Sequence, residues 1–152
     1  MVYIDDAKFA ANLVWDGETG AKIRAGKFEG LRLDMPTRHG GKGRYPCPDE
    51  LFLSGVAGCL LTTFLYFRKK LRIKIKRLNI SISGTLRRKV EGYRMSGISA
   101  MISVETGKDN EVDVKRCINL TKEYCHITRS LEKALPVEIV DKIEVLTSSK
   151  KK

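Results

Sequence analysis

Hydrophobic and polar positions change their rhythm several times along the chain. Residues 8–15 are short and rich in apolar side chains and stop at Asp16-Gly17, a turn pair. Residues 21–25 and 28–33 flank Gly26-Lys27, and Leu31 and Leu33 alternate around Arg32. These segments predict an N-terminal meander of three strands. Periodicity then vanishes over residues 34–47, which hold Pro36, Pro46 and the run His39-Gly40-Gly41-Lys42-Gly43. A loop of that length in a compact domain is often functional.

A helix start follows. Pro48 suits the first helical position, and Asp49 and Glu50 put negative charge in the first turn. From Leu51 to Phe67 there is no charged residue, and Arg68-Lys69-Lys70 then closes the segment with cations. Seventeen uncharged residues reach the lower edge of a membrane span. Ser54, Gly55, Gly58, Thr62 and Thr63 interrupt the run, and no other segment is long and apolar. A helix that is apolar all round must be buried on every side. One small chain can hardly enclose it, so a second subunit is expected to complete its burial.

Alternation returns at residues 73–86, with Leu78, Ile80 and Ile82 on one side and Asn79, Ser81 and Ser83 on the other. It recurs at 95–104 through Ile98, Ala100, Ile102 and Val104, with a polar connection from Arg87 to Gly92. This is the signature of an antiparallel hairpin with one buried face. Residues 111–126 switch to helical spacing, with Val114, Ile118, Thr121 and Cys125 on one stripe and Asp109 or Asn110 able to cap the start. A turn from Ile127 to Leu135 ends at Pro136, and Val137, Ile139, Ile143 and Val145 predict a last strand. The expected class is α+β, as one domain over residues 1–147 with a basic tail, Ser148–Lys152, that frays.

Composition narrows the function classes. Hydrophobic residues are 42% and charged residues 31% of the 152, an ordinary globular balance. The formal net charge of +11 raises nucleic acid or an acidic ligand as a partner. The bases are scattered, though, in Arg68-Lys69-Lys70, Lys74-Ile75-Lys76-Arg77, Arg87-Arg88-Lys89 and Lys150-Lys151-Lys152. No aromatic residues interleave with them and no readout motif appears, so a solubilising surface is the plainer reading and no nucleic-acid partner is expected. The opening residues lack a basic region followed by an apolar core, so a cytoplasmic location is expected. The four cysteines, Cys47, Cys59, Cys117 and Cys125, are then free thiols and not a disulfide framework. With His39 and His126 they make no metal-binding spacing, and no metal or cofactor is expected.

Cys59 lies mid-way along the apolar helix, and Cys125 lies in the last turn of the second helix on its buried stripe. Either alone reads as a small buried hydrophobe. Together they put a thiol on each of two helix faces that must meet, and such a pair can cycle between dithiol and disulfide.

The segment Pro48-Asp49-Glu50-Leu51-Phe52-Leu53-Ser54-Gly55-Val56-Ala57-Gly58-Cys59 resembles the central-helix motif of the OsmC/Ohr family. Glu123-Tyr124-Cys125-His126-Ile127, with Ser130-Leu131 after it, resembles that family's second-cysteine motif. The order of elements matches too, so the resemblance covers roughly residues 7–146. It implies antiparallel sheets wrapped around a long buried central helix in an intertwined homodimer with sites at the subunit interface. It also implies a thiol-dependent peroxidase that reduces organic hydroperoxides or hydrogen peroxide and belongs to oxidative-stress defence. Cys59 would attack the peroxide and become a sulfenic acid, Cys125 would resolve it as a disulfide, and an external dithiol would reduce the pair.

A thiolate is the nucleophile, so the Cys59 pKa must fall below its unperturbed value of about 8.5. Burial works against this, and a fixed cation is required. Arg38, in the long loop where some relatives place a functional arginine, is the candidate, with Arg44 its rival. The family's partner carboxylate falls at Asp49 in some branches and at Glu50 in others. Asp49 lies about 80° around the helix from Cys59 and Glu50 about 180°. Both acids also suit the helix N-terminus alone. His126 stands where the family often has proline; a structural role or help with proton transfer at Cys125 are the two readings. Cys47 and Cys117 match no family site, while Tyr45, Phe52 and Phe64 are candidates to line an alkyl-peroxide pocket. Two other functions stay open: an OsmC-like protein without peroxidase activity that binds a small hydrophobic ligand at the dimer interface, and a basic nucleic-acid-binding module.

Overall fold

The computed structural model describes residues 7–146. The tail Ser148–Lys152 and the first six residues, on which the frayed-end and leader expectations bear, lie outside the described residues. The chain divides into two compact units at Phe52/Leu53, inside the helix Pro48–Lys70.

The first unit contains β1 (Ala11–Trp15), β2 (Gly20–Ala25) and β3 (Phe28–Asp34) in a three-stranded antiparallel sheet of that order, the meander read from the sequence. Asp16 builds the first turn: its Oδ1 accepts the backbone N–H groups of Glu18 at 2.9 Å and Gly20 at 3.1 Å. Gly17, at φ +88°, supplies the left-handed conformation that the turn needs. The sheet has little of its own to bury against, and Leu13, Val14, Trp15, Phe28 and Leu31 are all exposed.

After β3 the aperiodic loop is pinned by Asp34, a fully buried carboxylate. It accepts the Thr19 hydroxyl at 2.6 Å, the N–H groups of Met35 at 2.9 Å and Arg44 at 3.0 Å, and Arg44 Nε at 2.8 Å. Gly41 is required here, because a Cβ would come within 1.8 Å of the Met35 carbonyl oxygen.

Helix α1 (Pro48–Lys70) begins as its first turn predicts. Cys47 is the N-cap: its carbonyl accepts the Leu51 N–H at 3.0 Å, and its own N–H donates to Glu50 Oε2 at 2.8 Å. The second bond is the backward half of a capping box. At the other end Arg72 takes a left-handed φ of 54°, and the Ile73 N–H bonds back to the Arg68 carbonyl at 3.1 Å, so the helix stops in a Schellman-type turn.

The second unit is built on a sheet ordered β4 (Ile75–Lys89), β5 (Gly92–Gly107), β6 (Val137–Leu146). The hairpin is longer than its alternation suggests: pairing runs to Lys89–Gly92, leaving Val90-Glu91 as the turn. β6, whose direction the alternation leaves open, pairs parallel to β5, from Ile98–Val137 to Gly107–Leu146. A parallel neighbour needs a crossover connection, and two helices provide it, α2 (Glu111–Tyr124) and α3 (His126–Leu131). The stretch read as a turn after Ile127 therefore begins as a helix.

One face of β5 supplies Ile98, Ala100, Ile102, Val104 and Thr106, all buried. Ile102 and Val104 join Phe64 of α1 and Val114, Cys117 and Ile118 of α2 in a single cluster. Helix α1 is long and apolar enough to cross a membrane by length and composition, and its Phe64 packs in that core. The expectation that α1 is buried all round is not met within one chain. Val56, Cys59, Leu60 and Phe64 are buried, whereas Leu65 is 40% and Tyr66 36% exposed.

Candidate active site

The helical repeat of α1 places Cys59 on the same side as Val56 and Leu60, facing the sheet. A second buried cluster consists of Cys59, Leu60, Ala100 and Cys125, flanked by Ile80, Ile82, Ile127 and Ile139. The two cysteines singled out from the sequence thus meet in one apolar cluster, both with free thiols.

Cys125 is not in the last turn of a helix, as its spacing suggests, but at a break between two. Its backbone is extended (φ −66°, ψ 105°), its N–H closes α2 on the Thr121 carbonyl at 3.0 Å, and its carbonyl starts α3 by accepting the Arg129 N–H at 3.1 Å. The break has a side-chain cause as well: the Thr128 hydroxyl bonds back to the Cys125 carbonyl at 3.1 Å. It fixes the Cys125 side chain in the core, wholly buried, and turns the next residue outward.

That residue is His126. Its Nδ1 lies 3.6 Å and its Nε2 3.9 Å from Cys59 Sγ, although the residue as a whole is exposed. The sequence reading placed His126 beside Cys125 only. Its proximity to Cys59 follows from the helix break, which no periodicity signals.

Burial pushes the Cys59 thiol above its ordinary value, and the neighbouring Cys125 adds to the rise. Hydrogen bonding from the Ile127 backbone and from the Thr63 side chain acts in the opposite direction. Reaction at this sulfur requires that its proton be removed.

Of the remaining candidates, Phe64 and Cys117 belong to the second unit and the others to the first. Arg44 is fully engaged there: Nε on Asp34 at 2.8 Å, Nη2 on Asp16 at 2.6 Å and Nη1 on Glu18 at 2.8 Å. Those bonds tie the loop to the meander's first turn. Arg38 lies on a 3-10 turn, Thr37–His39, is exposed, and directs Nε to His39 Nε2 at 3.3 Å. Asp49 is half-buried in the first turn of α1, and Glu50 makes the capping bond described above. Of the proposed pocket aromatics, Phe64 is wholly buried in the core, Phe52 is exposed, and the Tyr45 hydroxyl accepts from Arg32 at 2.9 Å. Cys117 is also core, with Sγ directed at the Phe64 carbonyl at 3.5 Å, and burial raises its pKa to about 11.

The family model described as OsmC-like protein matches residues 40–140, well over half of the chain and a span that includes both cysteines. Among solved structures, an OsmC-like protein from Mycoplasma pneumoniae superposes with a TM-score of 0.77 at 21% identity, covering 91% of this chain and 99% of that one. An organic hydroperoxide resistance protein from Legionella pneumophila gives 0.68 at 20% identity, covering 91% and 98%. The organic hydroperoxide resistance protein OhrB of Bacillus subtilis gives 0.64 at 20% identity, covering 90% and 98%. No curated protein matches the sequence at a significant level.

Proposed function

The chain belongs to the OsmC-like protein family, and from that premise we propose that it is a thiol peroxidase acting on organic hydroperoxides. The observation that carries this reading is the placement of Cys59 and Cys125 in one buried cluster, each thiol free. The Cys59 thiolate attacks the terminal peroxide oxygen, the O–O bond breaks, and an alcohol leaves. Sulfur is oxidised to a sulfenic acid as the peroxide is reduced. Cys125 then displaces hydroxide from that sulfur, which departs as water, and forms a disulfide. An external dithiol restores both thiols, so the cycle runs without a resident cofactor. The side chains packed around the two cysteines, Ala100, Ile80, Ile82 and Ile139, are all apolar. The four free cysteines fit a reducing, cytoplasmic compartment, where dithiol reductants are supplied. In this reading Arg38 is the candidate cation, with Arg44 its rival.

The active form in this reading is a homodimer. The uncovered side of α1, with Leu65 and Tyr66, and the open meander, with Trp15 and Phe28, each leave apolar surface for a second copy to cover.

The deciding experiment follows the consumption of tert-butyl or cumene hydroperoxide with a dithiol reductant. The wild-type protein is expected to turn over and Cys59→Ser to be inactive; undiminished activity in Cys59→Ser would refute the assignment. Brief peroxide treatment of the wild type should yield a Cys59–Cys125 disulfide by mass spectrometry. A reduced, unmodified pair would favour a ligand-binding relative without peroxidase activity.

A further inference from the structure

Activation of Cys59 poses a problem that the two-cysteine cycle leaves open. The thiol is buried and its pKa is raised, Cys125 adds no positive charge, and the proton has to leave before sulfur can attack. The one imidazole among the described residues near this sulfur is His126, at 3.6 Å from Nδ1.

We infer that His126 is a catalytic residue, the base that takes the Cys59 proton and the acid that returns it to the leaving alkoxide. The inference rests on the peroxidase reading for its substrate and on the geometry for the proton path. Sγ lies 3.6 Å from Nδ1 and 3.9 Å from Nε2, so both ring nitrogens are within reach of the thiol proton. The ring reaches the buried sulfur on one side and solvent on the other, since His126 is exposed while Cys59 is 7% exposed. An imidazole can act as base and then as acid within one catalytic cycle.

The step balances. The Cys59 S–H gives its proton to imidazole, leaving a thiolate–imidazolium pair. The thiolate forms an S–O bond to the terminal oxygen of ROOH as the O–O bond breaks. The departing RO⁻ takes the proton from imidazolium and leaves as ROH. Sulfur has lost two electrons to the peroxide, His126 is neutral again, and Cys59 carries the OH.

The position has a structural origin that a merely surface histidine would lack. His126 is the first residue of α3, placed by the extended backbone of Cys125, so the nucleophile's base and the resolving thiol are adjacent in sequence and set by one helix break. Substitution of Cys125's neighbour is therefore expected to act on the chemistry of Cys59, on a different helix.

The test reads Cys59 alone, without peroxide. Reduced full-length wild type, His126→Gln and His126→Ala are treated with iodoacetamide at neutral pH, and Cys59 alkylation is timed by peptide mass spectrometry. Circular dichroism checks that each variant is folded. His126→Gln keeps side-chain bulk and polarity, so it serves where His126→Ala perturbs the fold. Both variants should alkylate at least tenfold more slowly, in line with the roughly 10²-fold or larger contribution of a positioned base. Free imidazole should restore the rate in His126→Ala and not in His126→Gln, where the site is filled. Equal alkylation rates in wild type and folded His126→Gln would overturn the inference, as would failure of imidazole to raise the rate of a folded His126→Ala. The outcomes separate the two readings. Fast, His126-dependent alkylation in a protein that consumes no hydroperoxide would sink the peroxidase and keep the base. Peroxide turnover with His126-independent alkylation would do the reverse.

Discussion

Arg44 Nε donates to Asp34 Oδ2 at 2.8 Å, and the carboxylate that receives it has no exposed surface. The Arg44 guanidinium holds the Asp34 carboxyl well below the usual carboxylate range; the Thr19 hydroxyl and the N–H groups of Arg44 and Met35 act in the same direction against the cost of burial. An unfolded aspartate titrates near about 3.9. As pH falls through that value the unfolded chain binds a proton that folded Asp34 still refuses, so stability drops. Asp16 and Asp141, also lowered, add with the same sign. The urea midpoint should be level between about pH 6 and 5 and fall steadily below about pH 4. Asp34→Asn should lower the midpoint at neutral pH and flatten that acid slope. A slope unchanged from wild type would show that Asp34 is not the group responsible.

Phe64 tests the other unit. Its side chain is fully buried and joins α1 to Ile102, Val104 and Val114. Phe64→Ala should cost about 3–5 kcal/mol, the range for removing a buried aromatic ring without refilling the space. Denaturant titration measures this directly, and a loss under about 1 kcal/mol would mean that α1 does not pack as described.

Two of the four cysteines are expected to differ sharply in reactivity despite similar burial. Cys117 is enclosed by core residues, faces a carbonyl acceptor, and has its pKa raised to about 11 by burial. Thiolate is then a negligible fraction at pH 8. Peroxide challenge of the native protein should modify Cys59 and spare Cys117, which becomes reactive only on denaturation. Sulfinic or sulfonic acid on Cys117 in folded protein would contradict this.

Much of this architecture was legible in the residues. The uncharged run from Leu51 to Phe67, bracketed by Asp49-Glu50 and Arg68-Lys69-Lys70, marks α1 within a few residues because charge, capping and length agree. Alternation at Leu78, Ile80 and Ile82 marks β4 for the same reason. Strand direction was not legible: the period-2 pattern of Val137 to Val145 is identical for parallel and antiparallel pairing, and only the crossover through α2 and α3 decides it. Nor was the break at Cys125, which involves neither glycine nor proline and depends on Thr128 bonding back to the Cys125 carbonyl. Missing that break hid the proximity of His126 to Cys59. The partners of Arg44 were not legible either, because Asp16, Glu18 and Asp34 are brought to it only by the folded meander.

If Cys125 resolves the sulfenic acid, removing it should halt the cycle at that intermediate. Cys125→Ser is expected to consume about one hydroperoxide per Cys59 and then stop, with dimedone labelling of Cys59 appearing in step. Its first turnover should proceed at a rate comparable to wild type, because the attacking sulfur is untouched. Continued multiple turnover in Cys125→Ser with a dithiol reductant would show that the reductant attacks the sulfenic acid directly and that Cys125 is a core residue.

Leu65 offers the sharpest test of the homodimer. It is 40% exposed in the C-terminal third of a 23-residue helix whose neighbouring Tyr66 is 36% exposed, an apolar surface that water should not favour. A second copy covering that face would bury both side chains, and an aspartate there would become an unpaired buried charge, among the costlier single changes. Light scattering should therefore give twice the 17.1 kDa chain mass for wild type and a lower, concentration-dependent mass for Leu65→Asp. The buried cluster around Cys59 and Cys125 lies within one chain, so the monomeric variant separates two roles of the partner. Loss of peroxide turnover with Cys59 alkylation retained would assign the partner to substrate binding, whereas loss of both would assign it to the integrity of the thiol site itself. A wild-type protein that runs as a monomer at all concentrations would remove the homodimer from the account.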